Sequence, residues 1–190
     1  MHVFLETERM ILRRFTADDA DLLVELDNDP EVMRYLNGGA PVPREEIVDE
    51  DLPAFMAYYD RFEGYGFWAA IEKASGRFLG WFHFRPNEGD DPLEPELGYR
   101  LHRGAWGRGL ATEGSQALID HGFTAIGVQR VRAEAMLVHS ASWRVMEKVG
   151  MRRIRVFDAH WPVRIDGDEH GDVEHAITRA EWEAQRGDAS

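Results

Sequence analysis

The segment from Glu96 to Gly122 constrains this chain more than any other. Six residues that read as a strand, Glu96–Leu101, run into a turn holding Gly107 and Gly109, and the turn runs into a helix. Leu110, Gly114, Ala117, Leu118 and His121 fall on one face of that helix, which must therefore lie against an apolar surface. Around it the spacing is that of strands. Phe67–Glu72 and Phe78–Arg85 flank the turn Ala74-Ser75-Gly76-Arg77, and Gln129–Leu137 puts Val131, Ala133, Ala135 and Leu137 on one side. Ser140–Val149 returns to helical spacing through Ala141, Val145 and Val149, with Gly150 as its stop. Arg152–Phe157 and Val173–Thr178 read as two more strands. The order ββαβαβ predicts an α/β fold: one mixed, mostly antiparallel sheet with helices on both faces.

The first third is different. Residues 8–15 read as a strand, and Thr16 with Asp19 three residues later signals a helix start. Leu22, Leu23 and Leu26 give that helix a buried stripe, Asp29-Pro30 stops it, and Asn37-Gly38-Gly39 ends a second short helix. Pro43 opens a third, with Ile47, Phe55, Met56 and Tyr59 as apolar points, and Pro53 is expected to kink or split it. A length of 190 residues suits one domain, placed at residues 1–184, with 185–190 as a loose tail.

Charge narrows the partners. The net charge is −13, and residues 17–51 carry twelve acids (Asp18, Asp19, Asp21, Glu25, Asp27, Asp29, Glu31, Glu45, Glu46, Asp49, Glu50, Asp51) against Arg34 and Arg44. Nucleic-acid backbones and anionic membranes want the opposite sign, so neither is an expected partner. The acid reads either as a solvated face or as a field that attracts a cation. No apolar run of about 18 residues predicts a membrane span, no signal-peptide pattern opens the chain, and cysteine is absent, so the expected location is the cytoplasm.

Chemistry concentrates at the glycine turn. The first turn of a helix presents unpaired N–H groups and a partial positive charge, and glycine lets the backbone approach an anion closely. Arg103 and Arg108 are expected to add charge. Two phosphate-loop patterns fail: the dinucleotide fingerprint needs Gly where Thr112 stands, and the P-loop needs Lys after Gly109, where Leu110 stands. The acidic run Asp166–Asp172 fails as a calcium loop, because the fifth and twelfth positions are His170 and Ile177. Zinc held by His160, His170 and His175 lacks motif spacing, so no metal is expected.

Several motifs occur in order: Leu5-Glu-Thr-Glu-Arg9 with Leu12-Arg13, Asn28-Asp-Pro-Glu-Val-Met33, Gly98-Tyr99-Arg100-Leu101, Trp106-Gly-Arg-Gly-Leu-Ala-Thr-Glu113, and Ala141-Ser142 through Gly150-Met151. Together, over about residues 5–182, they resemble the GNAT superfamily of acetyl-CoA-dependent N-acetyltransferases, and within it the ribosomal-protein-alanine acetyltransferase branch. The resemblance implies a single-domain GNAT-like fold in which the strand of Glu96–Leu101 and the strand from Gln129 splay apart to admit the thioester. It implies that backbone groups of Tyr99, Arg100 and Leu101 pair with the pantetheine arm. The N–H groups of Gly107, Arg108, Gly109, Leu110, Ala111 and Thr112 would hold the pyrophosphate. A backbone N–H near Gly98–Arg100 would polarise the thioester carbonyl, and Ser142 would stand near the sulfur as a proton donor to the leaving thiolate. A homodimer is common among such proteins. Two positions depart from the pattern: His139 stands where the family usually has Asn, and Gly104 where it has Gln or Arg.

Single residues keep two readings each. Glu96 is either the base that takes a proton from the amine, directly or through water, or an edge-strand acid bonded to an arginine. His139 is either a cofactor hydrogen-bond partner or a helix cap. His83, in an aromatic strand, reads as packing. The function expected is direct acetyl transfer from acetyl-CoA to a primary amine, a small cationic amine or a peptide N-terminus, in a ternary complex. The alternatives are a non-catalytic acyl-CoA-binding or sensing domain and, behind it, a nucleotide-binding protein.

Overall fold

The structure, a computed structural model, describes residues 2–159, 161 and 163–187. Eight strands form one sheet: β1 (Val3–Glu6), β2 (Met10–Arg14), β3 (Gly66–Glu72), β4 (Phe78–Arg85), β5 (Glu96–Leu101), β6 (Arg130–Met136), β7 (Arg152–Phe157) and β8 (Asp172–Thr178). Their spatial order is β1-β2-β3-β4-β5-β6-β8-β7, and every neighbouring pair is antiparallel except β5 with β6. The helices are α1 (Ala20–Asp27), α2 (Pro30–Asn37), α3 (Arg44–Glu46), α4 (Leu52–Arg61), α5 (Leu110–His121), α6 (Ser140–Lys148) and α7 (Arg179–Gly187).

Strand alternation splits the core in two. Phe67, Ala69 and Trp81 point to the face packed by Leu23 and Leu26 of α1, Ile47, and Leu52 and Phe55 of α4. Trp68, Ala70, Phe82 and Phe84 point to the other face, covered by Leu110, Leu118 and Ile119 of α5, Phe123 and Met146 of α6. Both faces are covered, so β3 and β4 read as nearly continuous apolar runs rather than as half-polar strands.

Three local expectations are amended. β1 was not foreseen; it pairs with β2, the strand expected at 8–15. Pro53 does not break its helix. The Leu52 N–H reaches back five residues to the Ile47 carbonyl, a wide turn over Ile47–Asp51, and Pro53 then falls in the first turn of α4, where no N–H partner is missed. Beyond β8 the chain forms α7, which extends over residues 185–187 of the expected tail; residues 188–190 lie outside the described ones. His160 of the three-histidine set also lies outside them.

Candidate active site

The centre of the sheet opens. β5 and β6 pair at Glu96 opposite Arg132, with Arg132 N–H donating to the Pro95 carbonyl at 3.1 Å, and the pairing does not continue toward Leu101. On the other edge of β5, the His102 N–H donates to the Leu79 carbonyl at 2.9 Å. Backbone groups of alternate residues point to alternate edges. The N–H and C=O of Tyr99 and Leu101 therefore face the opening, as the C=O of Pro95 does. Trp106 Nε1 occupies the Leu101 carbonyl at 2.7 Å. Tyr99 thus presents its backbone donor and acceptor to the gap, an edge suited to receive an amide-bearing chain as an added strand.

The Tyr99 side chain crosses to α6. Its hydroxyl donates to the Ser142 carbonyl at 2.9 Å and lies 3.2 Å from Ser142 Oγ. Burial pushes the phenol up to about 12 against the opposing pull of Ser142, so it stays protonated at ordinary pH.

Below the end of β5 lies the glycine turn. Gly107 and Gly109 have φ of 69° and 79°, the left-handed region glycine favours, and Gly109 caps α5. A Cβ at Gly107 would have no heavy atom within 4 Å. Leu110, Ala111 and Thr112 supply the first-turn N–H groups. The cation here is one the sequence did not single out. Arg9 Nη1 donates to the Arg108 carbonyl at 2.8 Å and Arg9 Nε to Glu113 Oε2 at 2.6 Å. Burial would raise the Glu113 carboxyl, but Thr7 and Arg9 outweigh it and hold it below its ordinary range. All three arginines near the turn are ion-paired: Arg9 with Glu113, Arg108 with Glu72, and Arg103 with Asp29 at 2.7 Å.

Glu96, Gly98 and Arg100 lie on the face of β5 that α1 and α4 cover. Asn87 Nδ2 donates to Glu96 Oε2 at 2.8 Å, and His83 Nε2 stands 3.6 Å from Glu96 Oε1. Burial acts to raise the Glu96 carboxyl, yet His83, Asn87 and Arg85 together hold it well below the usual range. Burial in turn lowers His83, against the pull of Glu96. The ring of His83 lies so close to Gly98 that a Cβ there would meet Nε2 at 2.5 Å. Arg100, expected to pair with the pantetheine arm, has its backbone groups on the β4 side, opposite Trp81, and its side chain reaches Asp27 at 2.7 Å and lies over the ring of Trp81. Asp51, raised by burial and then by Asp27 and Glu46, is close to that pair. His139, at the start of α6, stacks on Tyr35 of α2 with centroids 4.4 Å apart, and burial lowers it to about 4, leaving a neutral imidazole.

Two other features lie apart. A hollow of about 540 Å³, walled by Phe157, Trp161, Arg164 and His170, contains none of the residues above. In the acidic run 166–172, Asp168 is tied to Arg164 at 2.9 Å and to the Ile165 N–H at 3.2 Å, a loop-fastening role.

Comparison with known proteins gives the same placement. A family model described as an acetyltransferase (GNAT) domain matches residues 9–152. The FsC-acetyl coenzyme A-N(2)-transacetylase of Aspergillus fumigatus is 29% identical over 184 residues, covering 94% of this chain and 77% of that protein. The uncharacterized protein YkkB of Bacillus subtilis is 32% identical over 148 residues, 77% of this chain and 84% of its own length. The crystal structure of the aminoglycoside acetyltransferase AAC(6')-Ib with coenzyme A superposes with a TM-score of 0.71 at 20% identity, covering 93% of this chain and 99% of that one. With a single parallel strand pair opening beside a glycine turn, and with the family match spanning most of its length, the chain belongs to the GNAT acetyltransferase family and is an acyltransferase.

Proposed function

We propose that the protein transfers the acetyl group of acetyl-CoA directly to a primary amine, with both substrates bound together. The observation that carries this reading is the opening of β5 from β6 beyond Glu96, with the Tyr99 backbone facing it and the α5 N-terminus at its end. In this reading the N–H groups from Gly107 to Thr112 hold the pyrophosphate, with Arg9 as the nearest cation. The strand edge at Tyr99–Leu101 receives the pantetheine amides. The Tyr99 N–H is the donor for the oxyanion that forms as the amine attacks. Ser142, held by the Tyr99 hydroxyl, returns a proton to the departing sulfur. Glu96, directly or through a water it holds, draws in the ammonium and orients the proton that the amine sheds. His139, stacked on Tyr35, stands beside Ser142 as a neutral hydrogen-bonding group rather than as an acid. No metal is needed for any of these steps. The cysteine-free composition supports a cytoplasmic setting.

The acceptor we infer is cationic, a polyamine-like or aminoglycoside-like amine or a basic peptide N-terminus. α1–α4 wall the face that carries Glu96. Part of their acid is neutralised, Asp19 by Arg13, Asp27 by Arg100 and Asp29 by Arg103, but Glu46, Glu50 and Asp51 keep the wall negative. The test is thiol release from acetyl-CoA with a panel of polyamines, aminoglycosides, neutral amines and peptides with a free α-amino end. Release that saturates in both substrates and is fastest with a cationic member supports the reading. Tight CoA binding with no release for any amine identifies a sensing domain instead.

A further inference from the structure

We propose that the proton leaving the acceptor amine comes to rest on Glu134 of β6, across the opening from Glu96. The inference rests on the acetyl-transfer reading and assigns a residue to one of its steps.

The placement follows from register. Glu96 lies opposite Arg132 in the one parallel pair of the sheet. Two residues on, along strands running the same way, Glu134 comes level with Gly98 and on the same face as Glu96. It is where β6 begins to leave β5. Position 98 bears no side chain, and the ring of His83 occupies that space. His83 is nine-tenths buried, and among the described residues neither of its ring nitrogens has a hydrogen-bond partner. A buried imidazole of this kind, between an anion and an open strand edge, suits contact with the nitrogen of an amine or a bridging water.

The carboxylates on this face differ in how firmly they are held. Glu96 accepts from Asn87 Nδ2 at 2.8 Å, with His83 Nε2 3.6 Å from its other oxygen. Glu174 of β8 takes Arg130 at 2.7 Å and Arg155 at 2.6 Å. Glu134 has no hydrogen bond among the described residues. Its nearest cation is Arg132 Nη1 at 3.7 Å, and Arg132 is itself paired with Asp90. The groups facing Glu134 are Arg132 on its own strand, Glu96 on β5, Glu174 on β8 and Arg155 on β7. Burial first, then Glu96 and Glu174, raise its carboxyl, while Arg132 and Arg155 oppose them. Two carboxylates whose proton affinities are pushed apart divide the labour. Glu96 remains the fixed anion that draws the ammonium in, and Glu134 is the group that can keep a proton.

The bookkeeping of the step is complete. The ammonium gives one proton, through the water at Glu96, to Glu134. The freed nitrogen lone pair attacks the thioester carbon, the C–N bond forms and the C–S bond breaks. The second nitrogen proton ends on the sulfur, and Glu134 returns its own to solvent through its exposed edge.

The experiment is the pH dependence of kcat and kcat/KM for wild type, Glu134→Gln, Glu134→Asp and Glu96→Gln. Each is assayed by thiol release with acetyl-CoA and the best amine of the panel, with CoA affinity measured by calorimetry. Glu134→Gln should lower kcat roughly 10²-fold and abolish the acidic limb, with CoA affinity unchanged. Glu134→Asp should keep a limb, moved to lower pH. Glu96→Gln should raise the KM of the amine and keep the limb. A Glu134→Gln enzyme with wild-type kcat and an unaltered limb overturns the assignment while leaving acetyl transfer intact. If Glu134→Gln does not fold, a Glu134→Asp limb at the wild-type position overturns it equally. A wild-type protein that releases no thiol with any amine removes the acetyl-transfer reading, and this assignment with it.

Discussion

At the scale of single residues, the proposed cofactor site draws more on main chain than on side chains. Tyr99 contributes its N–H and C=O to the opening and its hydroxyl to Ser142, while Arg100, next to it, is turned away to Asp27. Substitutions at cofactor positions should therefore act through backbone shape and added charge. Gly109 separates the two. Its φ of 79° disfavours any L side chain, so Gly109→Ala carries the conformational cost alone, and Gly109→Asp adds a carboxylate at the turn. We expect Gly109→Asp to bind CoA at least about tenfold more weakly than Gly109→Ala, about 1.4 kcal/mol, by calorimetry on variants that melt alike. Equal affinities would remove the pyrophosphate from this turn.

At the scale of elements, α5 is set by what it presses on. An ideal Cβ at Gly114 would lie 2.3 Å from Cζ of Phe82, whose side chain is fully buried in the core of the same face. In an exposed helix Gly→Ala gains about 1 kcal/mol. Here the overpacking, about 1–3 kcal/mol, should reverse the sign, so Gly114→Ala should lower the unfolding midpoint. A raised midpoint would mean that α5 can lift off β4 freely. The same elements show what the sequence makes legible. β4, β5 and β7 begin and end where period and turn residues put them, and the Thr16–Asp19 start is present, with Asp19 accepting the Thr16 N–H at 2.8 Å. Local pattern did not reveal β1, which is short and stands only because β2 pairs with it. Nor did it reveal the wide turn that carries the chain past Pro53. The Asn87 bond to Glu96 is made across the long β4–β5 loop, and Arg9 reaches the glycine turn from about a hundred residues away. Contacts of that kind leave no spacing for a sequence to display.

At the scale of the whole molecule, the sheet divides the work between its two faces. α5 and α6 cover one face and bring the glycine turn and Ser142 to the end of the opening. α1–α4 cover the other, where Glu96, His83 and Glu134 gather. The net charge of −13 is not spread evenly over this division: the acid is densest in α1–α4, whereas the edge strand β7 carries Arg152, Arg153 and Arg155. In the proposed reaction such a layout would lead a thioester in from one side and a positively charged amine from the other, to meet where β5 leaves β6. The central claim is the location of that meeting place, and amide hydrogen exchange with and without CoA tests it most directly. The account predicts slowed exchange at the Tyr99 and Leu101 amides and across Gly107–Thr112, with the loop around Trp161 unchanged. Protection confined to the hollow between Phe157 and His170, with Tyr99 and the glycine turn unaffected, would contradict it.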